Sequence, residues 1–109
     1  MLKKRAVIVI SPRLRKRDGL CAVVPLSTTA PDRKMPYHHK ISFDPLLPIP
    51  YEAAEHWVKG DMVNTVGFHR LSPLHNGRDQ SGRRRYVYPK LSDEDLEIVK
   101  ECVRAGLGI

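Results

Sequence analysis

Residues Trp57–Leu71 read WVKGDMVNTVGFHRL, the one stretch where charge, a turn breaker and β-forming residues interleave closely. Val58, Met62 and Val66 share one parity, with Gly60 and Asn64 between them, and Lys59, Asp61, Val63 and Thr65 share the other. Successive side chains of a strand point to opposite faces, so a single strand here would project Lys59, Asp61 and Thr65 together. Two readings follow. A cation, a carboxylate and a hydroxyl on one face form a polar site. The same alternation is also the ordinary signature of a half-buried strand, with a solvated face opposite Val58, Met62 and Val66.

Upstream lie two β-runs, AVIVIS (Ala6–Ser11) and LCAVVPLSTT (Leu20–Thr29), joined by the basic loop PRLRKRDG. Ala6–Ile10 is continuously apolar and β-branched, which predicts a buried strand ended by Pro12. Arg13, Arg15, Lys16 and Arg17 crowd the loop, and Asp18-Gly19 signals a turn. Such a cluster is either a solvated loop or a phosphate-binding one, since lysine and arginine draw affinity for nucleic acid from counterion release. Leu20–Ser27 predicts a second strand. Pro25 cannot donate a ladder hydrogen bond and is expected at a bulge or an edge. Ser27, Thr28 and Thr29 place three hydroxyls where the strand exits.

Further on, Tyr37–Phe43 predicts a third strand. His38 and His39 are adjacent, hence on opposite faces, and no further ligands stand at metal spacing, so no metal site is expected. Asp44–Pro50 holds three prolines in seven residues and reads as a linker. Ala53–Glu55 suggests a helical turn, Leu71–Gln80 a loop with a turn at Asn76-Gly77, and Arg83–Tyr88 a short strand. A C-terminal helix is the clearest element. Ser92 is a good N-cap with Asp95 three residues on, Leu91 and Leu96 occupy the staple positions, and Asp93, Glu94 and Asp95 suit the positive end of the dipole. Leu96, Val99, Cys102 and Val103 form its apolar stripe, and Gly106 is expected to stop it. Short strands followed by one helix predict a mainly β (α+β) fold, a small curled sheet or open barrel closed by a helix.

The length predicts a single domain, 1–109. The net charge of +7 is unevenly placed. Residues 1–40 hold ten Lys/Arg against two acidic residues, residues 77–90 five against one, and residues 91–109 two against five. A basic body with an acidic helix implies a polyanion-binding face. Met1–Arg5 is basic, but the apolar run behind it is too short for a secretory signal, and nothing approaches membrane-spanning length. Cys21 and Cys102 sit alone in apolar contexts and read as buried free thiols, which makes a cytoplasmic location the default.

Read in order, the chain resembles the MazF/PemK family of bacterial toxin endoribonucleases. The residues that carry the resemblance are Arg5-Ala-Val-Ile-Val-Ile-Ser11, Val23-Val-Pro-Leu-Ser-Thr28, Val58-Lys-Gly-Asp-Met-Val-Asn-Thr-Val66 with Arg70-Leu71 after it, and the closing helix. The likeness implies an SH3-like barrel, a homodimer, single-stranded RNA as substrate, a cognate antitoxin as partner and, together with the antitoxin, operator DNA. It implies no cofactor and no metal. The chain begins at what would be the second strand of the family pattern.

By this resemblance Arg5 would bind and stabilise the scissile phosphate, and Ser27 would hold it by its hydroxyl. Lys59 would be an electrostatic partner, Asp61 an orienting group or base, and Thr65 a substrate contact, while Arg13, Arg15, Lys16 and Arg17 would add substrate contacts through their clustered charge. Lys59 stands where arginine is common and lacks the planar bidentate fork. The chemistry needed is modest: the 2′-hydroxyl of RNA is the nucleophile, and the protein supplies proton transfer and donors to the charged transition state. A catalytically inactive nucleic-acid- or protein-binding module on the same fold is the alternative.

Overall fold

The structure is a computed structural model and describes residues 5–11, 19–87 and 89–109. The elements run β1 (Val7–Val9), β2 (Leu20–Ser27), β3 (His38–Ser42), β4 (Glu55–Lys59), β5 (Asn64–Gly67), a 3-10 turn (Phe68–Arg70), β6 (Leu74–Arg78), β7 (Arg84–Val87) and α1 (Asp93–Leu107). The fold is mainly β with a C-terminal helix. Arg13, Arg15, Lys16 and Arg17, expected to contact substrate, lie outside the described residues.

β2 organises the sheet. On one side it pairs antiparallel with β1 (Ile8 opposite Val24), and on the other it pairs first with β5 (Cys21 opposite Val66) and then with β4 (Leu26 opposite Val58). β3 pairs with β4, giving the path β1-β2-β4-β3. Pro25 is neither at a bulge nor on an edge, contrary to expectation. It pairs with Val7, while on the far side the β5 partners end at Val23 and the β4 partners begin at Leu26. The Leu26 N–H points to Ala6 on the β1 side, so position 25 would aim its N–H into the gap between β5 and β4, where no donor is needed.

Paired residues share a face, which collects Ile8, Val24, Leu26, Val58 and Ile41 on the side that α1 covers with Val99 and Cys102. Val24, Val58 and Val99 are fully buried, each worth about 1.5–3 kcal/mol of transfer free energy. The helix begins as expected: the Ser92 hydroxyl accepts from the Asp95 N–H at 3.1 Å.

Besides Pro25, the structure departs from the sequence reading in four places. Val58–Val66 is not one strand: β4 ends at Lys59, Gly60 and Asp61 turn, the Met62 N–H donates to the Lys59 carbonyl at 3.0 Å, and β5 starts at Asn64. The shared parity of Lys59, Asp61 and Thr65 is therefore broken by the turn. Glu55 opens β4 rather than closing a helical turn, because its strand pairs with β3 through Ser42. Leu74–Arg78 is a strand, since β7 supplies partners that local composition does not reveal. The helix passes through Gly106 and ends at Gly108, whose φ of 74° makes the left-handed cap. The mainly β sheet with its closing helix agrees with the expectation, and the sheet is open: among the described residues β1 and β3 are the two ends of the sheet path, and β6 and β7 form a separate two-stranded ribbon.

Candidate functional site

Antiparallel pairing brings the start of β1 beside the end of β2. The Val7–Pro25 register and the hydrogen bond from the Leu26 N–H to the Ala6 carbonyl (2.9 Å), continued by one residue, set Arg5 opposite Ser27. Across β2, Ser27 faces Trp57, and Lys59 follows two residues later on the same face. Such diagonal neighbours lie roughly 7–8 Å apart, within reach of a lysine side chain. Lys59 in turn pairs with His38, the first residue of β3.

Arg5, Ser27, His38 and Lys59 line one cleft, together with Thr28, Thr29, Arg33, Tyr37, Tyr51 and His56. Asp32 is the one carboxylate among its described lining residues, against the cations Arg5, Arg33 and Lys59. Among the described residues the ion pairs Lys40–Glu55, Lys100–Glu97 and Arg104–Glu101 involve none of these cations. The cleft is thus a net positive surface.

Local bonds set the state of two side chains. The Ser27 hydroxyl accepts from the Thr29 N–H at 3.1 Å and reaches the Thr29 carbonyl only at 3.4 Å. That second contact is long for an O–H donor, so the proton is available to a phosphate oxygen. His38 Nδ1 accepts from the Met35 N–H at 3.1 Å. The neutral ring must then carry its proton on Nε2.

The remaining sequence candidates are not gathered here. Asp61 is exposed in the turn after β4 and lines neither this cleft nor the second groove. Thr65 pairs with Ala22, five residues along β2 from Ser27 and so roughly 17 Å away at strand rise. It lines a second groove that also takes Arg5. Sequence reasoning weighed His38 only as a metal ligand and passed over His56. His56 is 2% exposed, with its ring edge-on to Phe43 at 5.2 Å and its Nε2 without a hydrogen-bond partner among the described residues. Its inward position was available from the alternation Glu55-His-Trp-Val58, in which Val58 points to the core.

Residues 1–107 match the model of the family described as PemK-like, MazF-like toxin of type II toxin–antitoxin system. The chain belongs to this toxin family. Among solved structures, this PemK/MazF-family chain is similar to the Mycobacterium tuberculosis toxin MazF-mt6, with a TM-score of 0.62 at 15% identity, over 96% of this chain and 87% of that one. It is also similar to an endoribonuclease from mycobacterial species, with a TM-score of 0.58 at 17% identity, over 96% of this chain and 81% of that one. At such identities the likeness is one of fold. No curated protein sequence matches the chain. Among the described residues no helix of this family member is long and apolar enough to cross a membrane, and no three His, Cys, Asp or Glu residues are grouped to hold a metal ion.

Proposed function

We propose that the chain is the toxin of a type II toxin–antitoxin pair and a metal-independent endoribonuclease that cleaves single-stranded RNA with a preference for sequence. The observation that carries this reading is the register of Arg5 against Ser27 in a cationic cleft that also takes Lys59 and His38.

The residues divide the work by their chemistry. The 2′-hydroxyl oxygen attacks the adjacent phosphorus and the bond from phosphorus to the 5′-oxygen breaks, the 2′ proton leaving to solvent and the 5′-oxygen taking a proton from solvent. The Arg5 guanidinium and the Lys59 ammonium meet the charge that accumulates on the phosphorane oxygens. Ser27 donates to one of those oxygens. His38, with its proton on Nε2, donates a hydrogen bond to the departing 5′-oxygen as charge develops on it. The products are a 2′,3′-cyclic phosphate and a 5′-hydroxyl. Asp61, outside the cleft, has no chemical part in this scheme.

A cognate antitoxin is the expected partner, as the family's type II system implies, with operator DNA bound by the two together. A second copy of the chain is also expected: β1 ends the sheet path and exposes Val9 to 51%, an apolar edge that a partner would cover. The cytoplasm is the compartment where an RNA substrate and reduced thiols coincide.

The test incubates the purified protein with long single-stranded RNA in EDTA and maps the cut ends. Cyclic phosphate termini at a restricted set of sequences are expected. Cleavage abolished by EDTA overturns the metal-independent mechanism, and RNA that is bound but never cut leaves a binding module.

A further inference from the structure

We propose that the β6–β7 ribbon is an arm for single-stranded RNA, on which a base stacks against Tyr86 while Arg84 and Arg78 hold the flanking phosphates. The proposal rests on the endoribonuclease reading and extends it to a contact outside the cleft.

Among the described residues the ribbon pairs only with itself. Its register sets His75 opposite Tyr86 and Arg78 opposite Arg84, with an irregularity between His75 and Arg78. Arg84 and Tyr86 are two residues apart on β7, so one face presents His75, Tyr86, Arg84 and Arg78 together. The other face carries the half-buried pair Leu74 and Val87, which roots the ribbon. Tyr86 is 48% exposed, a large aromatic with no core to fill.

Charge favours a polyanion. Arg78, Arg83, Arg84 and Arg85 stand against Asp79 alone, and that carboxylate is turned onto the ribbon's own tip. Asp79 Oδ1 accepts from the Ser81 hydroxyl at 2.7 Å, the Ser81 N–H at 2.9 Å and the Arg83 N–H at 3.0 Å. None of the ion pairs among the described residues involves the four arginines. Arg78 Nη1 donates to the Gly82 carbonyl at 2.8 Å, which stiffens the tip.

The occupant follows from the mixture of side chains. An acidic protein segment needs only the charges. Alternating aromatic and guanidinium groups on one exposed face are what unpaired bases and their phosphates require. Continuity points the same way: His75, at the root of that face, lines the groove that also contains Thr65 and Arg5. A strand whose scissile phosphate lies at Arg5 has a lined path to the ribbon.

The test measures binding of the full chain to a fluorescent 2′-O-methyl RNA 20-mer of mixed sequence, which cannot be cut, and to its duplex. Tyr86→Ala is expected to weaken single-strand binding about tenfold, and Tyr86→Trp to preserve it. Arg84→Gln is expected to lower the log–log salt slope by about 0.7. Both side chains are exposed, and circular dichroism checks that the variants stay folded. Unchanged affinity in Tyr86→Ala with an unchanged slope in Arg84→Gln overturns the proposal, as does an equal loss on the duplex. Loss of binding to an acidic antitoxin segment with RNA binding intact also overturns it. Cleavage of the unmodified 20-mer is scored separately. Wild type that binds but never cuts sinks the endoribonuclease reading alone, whereas ribbon variants that bind and cut normally sink the arm alone.

Discussion

Gly60 lies directly against the backbone of Cys102: a Cβ on Gly60 would fall 2.6 Å from the Cys102 carbonyl carbon and oxygen. Farther along α1 the contact is reciprocated, where a Cβ on Gly106 would fall 2.7 Å from the Asp61 Cα and the Gly60 carbonyl oxygen. Two glycines therefore let the helix seat on the turn that ends β4. The Gly60 N–H also donates to the Tyr37 carbonyl at 2.9 Å, tying the same turn to the start of β3. Lys59 and His38, the two cleft residues at this corner, are positioned by that seat.

Gly60→Ala and Gly106→Ala are both expected to destabilise the fold. In an exposed helix, glycine to alanine gains about 1 kcal/mol. Here the new methyl meets backbone atoms that cannot rotate away, and overpacking of this kind costs about 1–3 kcal/mol. The clash should win, lowering Tm by roughly 4–8 °C per kcal/mol for a chain this size. Thermal unfolding checks it, and a Gly106→Ala protein that melts at or above wild type would show that the helix seat is loose.

Substitutions in the cleft should separate by chemistry. Arg5→Ala is expected to lower kcat about 10²–10³-fold, the usual cost of one donor to a transition-state oxyanion, with Tm unchanged because Arg5 is exposed. Ser27→Ala should cost less, since Arg5 and Lys59 still oppose the charge. Lys59→Arg should retain activity, because the planar fork suits a phosphate. Asp61→Asn should leave cleavage near wild type, and a loss as large as that of Arg5→Ala would return the carboxylate to the chemistry. Single-turnover cleavage of a mapped substrate measures all four.

The sequence disclosed the elements whose signals are local. Ser92 and Asp95 announced the helix start, Ala6–Ile10 and Leu20–Ser27 announced the first two strands, and the family resemblance named Arg5 and Ser27 as site candidates. What it hid depends on distant partners. Leu74–Arg78 is a strand only because β7 lies beside it, and the proline at position 25 is tolerated only because two partner strands change over there. Gly60 was legible as a turn breaker, but the alternation on either side of it suggested one continuous face. The reason for the break is the helix backbone pressed against it, which no local pattern encodes. Asp61 was misplaced by the same break.

Burial pushes the thiols of Cys21 and Cys102 up from their ordinary value, with the nearby Lys34 opposing and Glu101 reinforcing the effect at Cys102. A raised value in the folded state means that folding favours the neutral thiol. The resulting stability is present below the unfolded thiol value, about 8.5, and is lost as the pH rises through the raised folded values. Tm should therefore fall between neutral and strongly alkaline pH. The doubly substituted Cys21→Ala, Cys102→Ala protein should start lower and show a smaller fall. An identical fall in both proteins would assign the alkaline transition to other groups.

At acid pH the ribbon tip should give way before the sheet. Hydrogen bonding from the Ser81 hydroxyl, then from the Arg83 N–H, holds the Asp79 carboxyl below the usual carboxylate range; slight desolvation opposes this, while the Ser81 N–H and the Arg85 charge add to it. A lowered value in the formed turn means that the turn favours the carboxylate. Its contribution is present above the ordinary aspartate value, about 3.9, and is lost as the pH falls through the lowered one. The Ser81 and Arg83 amide resonances should therefore shift in step at acid pH, and their hydrogen exchange should quicken while that of β2 stays slow. Asp79→Asn keeps an acceptor oxygen without the titrating charge and should flatten that pH dependence. Asp79→Ala removes the acceptor and should open the tip at every pH. Amides that titrate in Asp79→Asn as they do in wild type would show that another group controls the turn.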